Sequence, residues 1–346
     1  MLSATERSMF MGFELLSSPV TAAGKVIKNR IVVPPMADFG MTGSDGMVNE
    51  RHIARYGSYA DGGAGLVIIE ACAVSRMKEP RNTIGIFDDR CIPGLSRLAE
   101  ASKRNGARAL VQLINTGRDA MEGRSIDEIS HERFMEYKRD FVSAAVRCRK
   151  AGFDGIELHA AYGMYLNEII ETGRRTDGYG GSLDGRVRIL TELISEIKET
   201  CGDGFITTAR IGSRDMGELT EITGRAEEAG IDLLDICSGM GRYTGVPEDF
   251  GFDAKIYAAS LVKKQAGVPV ICVGNIFDGE TAERILELGL ADMTAVGRGH
   301  LCDPAWAGKV LAGKRPFKCL RCRRCLWYID GRRCPGRMLG ERERSE

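Results

Sequence analysis

The sequence predicts an α/β protein folded as a (β/α)8 TIM barrel with a short C-terminal cysteine-rich, cluster-binding extension, and three observations predict it. Eight short apolar, β-rich runs recur along the chain. Longer amphipathic stretches separate them, such as LSRLAEASKRNG and RVRILTELISEIKET, and several end near a glycine as helix C-caps do. Residues of unusual chemistry gather at the ends of the runs, where a barrel keeps its active site.

The runs are Arg30–Pro35, Leu66–Glu70, Ala107–Ile114, Gly155–Ala160, Phe205–Ile211, Leu233–Ser238, Pro269–Gly274 and Asp292–Gly297. Strand–helix alternation implies parallel strands with crossover helices, and eight units match a closed barrel; a doubly wound sheet is the competing architecture. The barrel is expected over residues 13–313, after a short extension at 1–12 and before a basic tail at 314–346.

The chain has 346 residues, 43% hydrophobic and 28% charged, ordinary values for a globular protein with a sizeable core. Lys+Arg and Asp+Glu each number 48, which excludes a global basic field for nucleic acid. No apolar run reaches the roughly 18 residues of a membrane span, and the N-terminus lacks the apolar stretch of a secretory signal. Of 11 cysteines, Cys72, Cys91, Cys148, Cys201, Cys237, Cys272 and Cys302 are scattered and four are packed into Cys319–Cys334. That distribution fits a reducing cytoplasm plus a cofactor site better than a disulfide scaffold.

The loops after the seventh and eighth runs, VGNIFDGETAERI and VGRGHLCDPAW, fall where barrels often bind phosphate. Gly274, Asn275 and Gly297 would offer backbone N–H groups and Arg298 a donor fork, unless the glycines only tighten turns. His159 ends the fourth run and could donate a hydrogen bond to a substrate carbonyl, or be a rim histidine. His52, His131 and His300 fall on helices and read as structural or surface residues. Arg210 interrupts an apolar strand, so it must face an anionic ligand or pair with Glu157 or Asp235.

In the tail, Cys319-x2-Cys322-x2-Cys325-x8-Cys334-Pro335 points to iron–sulfur ligation of ferredoxin type, with zinc or free thiols as alternatives. Arg321, Arg323, Arg324, Arg332 and Arg333 crowd the same segment. They could stabilise an anionic cluster, form a solvated face or dock an acidic electron carrier.

Taken in order, KNRIVVPPMADFG, GLVIIEACAVS, ALVQLINTGR, IELHAAYG…LNE, RRTDGYGGSLDGRVR, TARIGS, VGNI and VGRG resemble the Old Yellow Enzyme family of FMN oxidoreductases. The cysteines narrow the likeness to its iron–sulfur branch, which includes 2,4-dienoyl-CoA reductase and trimethylamine dehydrogenase. The resemblance spans Phe13 to Pro335. It implies that Pro34, Pro35, Met36 and Ala37 line a flavin ring, that Ala71 touches it through backbone, and that Gln112 bonds its pyrimidine edge. It further implies Arg210 beside N1 and O2, the phosphate on Gly274, Asn275, Gly297 and Arg298, and a substrate carbonyl on His159. Phe39 would wall the pocket, and Cys319, Cys322, Cys325 and Cys334 would hold a [4Fe-4S] cluster.

The chain also departs from the family pattern. A second histidine is replaced by Tyr162, the common proton-donor tyrosine by Met164, a further histidine by Asn115, and Ala37 stands where Thr or Cys is usual. Tyr162, Tyr165 and Tyr243 are the candidate proton donors. The large branch members continue into flavin- and nicotinamide-binding domains, whereas no G-x-G-x-x-G follows a strand here. The implied activity is reduction of an activated C=C bond in an enone or enoyl-CoA-like substrate, with NAD(P)H as an external donor. The cluster would relay electrons to a ferredoxin or a flavoprotein subunit. Amine dehydrogenation or N-demethylation, and an electron-transfer subunit without its own substrate, are the competing functions; a homo-oligomer is compatible with all three.

Overall fold

The computed structural model describes residues 13–38, 40–76, 83–115, 125–328 and 330–343. The N-terminal extension and Phe39 therefore lie outside the described residues. Eight strands close a barrel in the order β10-β3-β4-β5-β6-β7-β8-β9, all pairs parallel. They are β3 (Ile31–Val33), β4 (Leu66–Ala73), β5 (Arg108–Ile114), β6 (Gly155–Ala160), β7 (Ile206–Ser213), β8 (Leu233–Ser238), β9 (Val270–Val273) and β10 (Met293–Ala295). Each falls on one expected run. Between them run α1 (Glu14–Ser17), α2 (Glu50–Asp61), α3 (Ile92–Ser102), α4 (His131–Lys150), α5 (Tyr165–Thr172) and α6 (Leu183–Cys201). There follow α7 (Met216–Glu228), α8 (Ala254–Lys263), α9 (Gly279–Glu287), α10 (Gly297–Cys302) and α11 (Trp306–Leu311).

The long helices turn one apolar face to the barrel. In α6, Val187, Leu190, Leu193, Ile194 and Ile197 are all buried, the spacing of one helical stripe. Capping side chains fix where helices begin: Ser182 bonds the N–H of Gly185, Asp253 that of Lys255 and Asp278 that of Thr281. Such a cap typically contributes about 1 kcal/mol.

Strand parity separates two environments. Outward residues such as Ile156, Leu158, Ala209, Ile211, Leu234 and Ile236 join the core beneath the helices. The opposite parity fills the barrel. Its lower layer is apolar, with Leu66, Leu110, Ile206, Leu233, Ile271 and Met293 in one cluster. An antiparallel hairpin, β1 (Val20–Ala22) and β2 (Lys25–Ile27), adds Ala22 and Ile27 to that cluster and plugs the N-terminal end. The sequence reading did not anticipate it. One residue pair further along the strands, the interior turns polar, and chemistry is confined to the C-terminal mouth.

After α11 the tail folds back on the barrel. Lys309 Nζ sits 3.8 Å from the Phe317 ring centre, and the Arg55 guanidinium 4.4 Å from that of Trp327. Helix α12 (Pro335–Glu343) sends Arg337 to the carbonyls of Leu301 (3.0 Å) and Cys302 (3.3 Å).

Candidate active site

The polar layer sits on neighbouring strands. Gln112 Nε2 on β5 donates to Glu157 Oε1 on β6 at 2.8 Å. Arg210 on β7 donates through Nε to Asp235 Oδ2 on β8 at 2.8 Å, and Glu157 Oε1 is 4.0 Å away. Both partners foreseen for Arg210 are thus present. Arg210 Nη2 lies 2.7 Å from Asp235 Oδ2 but outside hydrogen-bond alignment, so its protons are left for another acceptor. On β4 a bulge between Ile69 and Cys72 re-aims the strand at Glu70 and Ala71. Glu70 there holds Arg55, whose Nη2 bonds the Met36 carbonyl.

A cavity of about 270 Å³ opens above this layer. Pro34, Pro35, Met36, Tyr162, Arg210, Gly274, Asn275, Gly297 and Arg298 line it. Ala37, Ala71, Gln112 and His159 are not among its lining residues; Gln112 lies in the layer below. Lys255 lines it too and was missed, because a lysine in the first turn of a helix carries no motif. Its Nζ is 2.8 Å from Asp253 Oδ1, and Asp253 Oδ2 accepts from Asn275 Nδ2 at 2.7 Å. Arg298 Nη2 donates to Asn275 Oδ1 at 2.6 Å. Gly274 has φ +151° and no space for a side chain, since a Cβ would meet Asp253 atoms at 2.7–2.9 Å. Two cations and a close-fitting glycine therefore gather at one end, a place suited to an anion.

On β6, in register with Arg210, stands His159, with Nδ1 buried and unbonded among the described residues. Burial, reinforced by the Arg210 charge, lowers its pKa to about 3, so the ring is neutral near pH 7. The Tyr162 ring meets it edge-on at 6.3 Å. Tyr162 adopts φ +57° and its hydroxyl bonds the Cys237 thiol. Burial of that hydroxyl raises its pKa, which keeps the phenol protonated. Tyr243 is turned away, bonding the Cys237 carbonyl.

Tyr165 is not brought to the cavity. It opens α5, whose start rotates it outward against Phe134, Tyr137 and Phe141, with the last ring 6.3 Å away. Of the other histidines, His52 and His300 are fully buried in helices and His131 pairs with Asp177 on the surface.

The tail cysteines do not form the expected cage. Among the described residues, no group of three or more His, Cys, Asp or Glu side chains is placed to hold a metal ion. Cys334 instead meets the thiol of Cys302, a barrel cysteine outside the expected set. That contact, with N–H groups of Arg337 and Gly336, lowers Cys334 to about 6 against the opposing effect of burial. Cys302 thus joins Cys334, which also lies near Cys319, as that residue does near Cys325.

The closed parallel barrel thus carries at its C-terminal mouth a cationic, glycine-lined recess suited to an anion, with a neutral histidine on the strand next to Arg210. Residues 15–128 and 124–316 match the NADH:flavin oxidoreductase / NADH oxidase family, and the chain belongs to that family. An NADPH dehydrogenase of Bacillus subtilis (strain 168) is 35% identical over 315 residues, 84% of this chain and 93% of that protein. An NADH oxidase of Thermoanaerobacter brockii is 35% identical over 344 residues, 89% of this chain and 52% of that protein, so this chain spans about half its length. Among solved structures, histamine dehydrogenase from Rhizobium sp. 4-9 superimposes with TM-score 0.78 at 25% identity, covering 92% of this chain and 50% of that one. A 2-naphthoyl-CoA reductase shares the fold, with TM-score 0.82 at 24% identity over 92% of this chain and 56% of that one.

The site's own atoms fit FMN. The unaligned Nη2 of Arg210 offers donors to the electron-rich edge of a flavin ring, and Lys255, Arg298 and the Gly274 recess suit its phosphate. The donor set in the tail does not fit an iron–sulfur cluster in this arrangement.

Proposed function

We propose that the chain is an FMN-dependent oxidoreductase that carries hydride from NAD(P)H to an activated C=C bond of an enone- or enoyl-CoA-like substrate. The observation that carries this reading is the unsatisfied buried Arg210 Nη2 in the cavity that holds the Gly274 recess, with His159, whose Nδ1 is likewise unbonded, in register beside it on the neighbouring strand. FMN bound there supplies two-electron hydride chemistry. Arg210 would hold the ring through its unaligned Nη2 donors, while Met36, held through Arg55, and Pro34 and Pro35 shape the cavity. His159, neutral and protonated on one nitrogen, donates to the substrate carbonyl and draws charge from the double bond. Tyr162 would give its phenolic proton to the α-carbon of the substrate, a transfer that typically contributes about 10²–10⁴-fold.

Oxidation of a cationic amine is the weaker reading. Trp306 and Trp327 lie outside the cavity, and Lys255, Arg298 and Arg210 would repel an ammonium group. With NAD(P)H as the hydride donor, this proposal assigns no step to Cys319, Cys322, Cys325 and Cys334. Eleven unpaired thiols accord with a reducing compartment such as the cytoplasm, and among the described residues no helix is long and apolar enough to cross a membrane.

The test is anaerobic. FMN is titrated into the full chain by fluorescence quenching, NADPH is added, and re-oxidation by 2-cyclohexenone is followed. The reading predicts quenching, bleaching and recovery. A chain that binds no FMN, or a reduced flavin that no activated alkene re-oxidises, would overturn it.

A further inference from the structure

Beneath Arg210 lie two carboxyl groups to which the reaction assigns no step. Glu157 on β6 and Asp235 on β8 flank Arg210 on β7 inside the barrel, and both side chains are 0% exposed. One arginine can neutralise one carboxylate. The other nearby titratable groups do not help: burial keeps His159 neutral and holds protons on Tyr162, Cys237 and Cys272. Two ionised carboxylates would leave a net negative charge in a dry barrel, which is very costly.

The geometry shows how the imbalance is removed. Glu157 Oε2 and Asp235 Oδ1 receive no hydrogen bond from any described donor. Burial pushes both carboxyl groups upward, and the neighbouring Asp235 charge pushes Glu157 further. Asp235 Oδ2 takes the Arg210 Nε–H at 2.8 Å, whereas Glu157 Oε1 stands 4.0 Å from Arg210 and accepts from the neutral Gln112, so a proton on Glu157 removes the surplus charge.

We propose that Glu157 and Asp235 share one proton at neutral pH and form with Arg210 an electrically neutral triad that fixes the guanidinium with its Nη2 edge toward the cavity. Glu157 carries the proton and Asp235 the charge, since burial and the neighbouring carboxylate both push Glu157 upward while Arg210 bonds Asp235 directly. Both act on a ligand through Arg210 and are positioning residues. The proposal deepens the flavin reading, and only its second readout depends on that reading.

The first readout is infrared difference spectroscopy of the full chain against Glu157→Gln, near neutral pH in H2O and D2O. A protonated-carboxyl C=O band that shifts in D2O should be present in the wild type and missing from E157Q. A wild type without the band, or an E157Q protein that keeps it, overturns the proposal. Should E157Q not fold, Asp235→Asn replaces it: Glu157 then ionises against Arg210, and the band is lost again.

The second readout is FMN affinity. E157Q exchanges one neutral group for another, so its dissociation constant should stay within about twofold of the wild type. If both carboxylates were ionised, removing one charge beneath the ring would tighten binding by about tenfold or more, which also overturns the proposal. If no variant binds FMN, the flavin reading fails while the infrared band still decides where the proton is.

Discussion

Gly274→Ala tests the anion recess most directly. The new Cβ would lie 2.7 Å from Asp253 Cβ, 2.8 Å from its Cγ and 2.9 Å from its Oδ1. These atoms belong to a capped helix start, not to the far end of a flexible chain, so Asp253 cannot swing clear without losing its bond to the Lys255 N–H. Overpacking of this kind costs about 1–3 kcal/mol. Holding alanine at φ +151° adds about 1–3 kcal/mol, for a total of about 2–6 kcal/mol. Displacing Asp253 also frees Asn275 and Lys255, and FMN affinity should fall by about tenfold or more. Gly224→Ala is the matched control. It lies within α7, its Cβ meets nothing within 4 Å, and it should stabilise the protein by about 1 kcal/mol. Urea unfolding and FMN titration of both variants give the comparison. A G274A protein as stable as the wild type, with unchanged FMN affinity, would refute the reasoning.

Other expectations follow from the same geometry. Tyr162→Phe should slow alkene reduction by about 10²-fold while leaving flavin reduction by NADPH unaltered; equal loss in both half-reactions would remove its role as proton donor. His159 takes up a proton only near pH 3 when folded, so kcat/KM should show no inflection near pH 6.5 that His159→Asn abolishes. The same depressed value means the unfolded chain binds a proton that the folded one refuses. This contribution to stability is therefore lost as pH falls from about 6.5 toward 3, by about 1.4 kcal/mol per pH unit, and equilibrium unfolding of the His159→Asn variant should lack it. Trp327→Ala uncovers Arg55 and should cost about 3 kcal/mol in urea unfolding, with faster FMN release; a surface-like loss below about 0.5 kcal/mol would contradict the docking described.

How much the sequence revealed depended on whether the decisive signal was local. The strands Gly155–Ala160 and Leu233–Ser238 were read to the residue, because a parallel strand buried on both faces is a continuous apolar run closed by turns. The first and last strands were read too long, since Pro34, Pro35 and Gly297 line the mouth and do not extend the ladder. The hairpin at Val20–Ile27 escaped notice because two three-residue strands leave too short a pattern. Tyr162 and Tyr165 could not be told apart along the chain. A positive φ at one and a helix start at the other send them to opposite sides of the barrel wall, and both follow from tertiary packing. The Cys302–Cys334 contact joins α10 to the tail across 32 positions, a pairing that no local spacing encodes.

The tail is anchored by side chains that need no metal. Trp327 caps Arg55, Arg321 and Arg298 both pack against Phe277, and Arg337 ties α12 to the end of α10. In small metallo-domains binding and folding are one event; here the segment has its resting place in advance. Chelation should therefore leave far-ultraviolet ellipticity and FMN affinity unchanged, and a cooperative loss of either would show that the tail relies on an ion. Because Arg55 also grips the Met36 carbonyl, the tail behaves as a buttress for the flavin loop, and changes far from the reacting atoms can register in how tightly that loop holds its ligand.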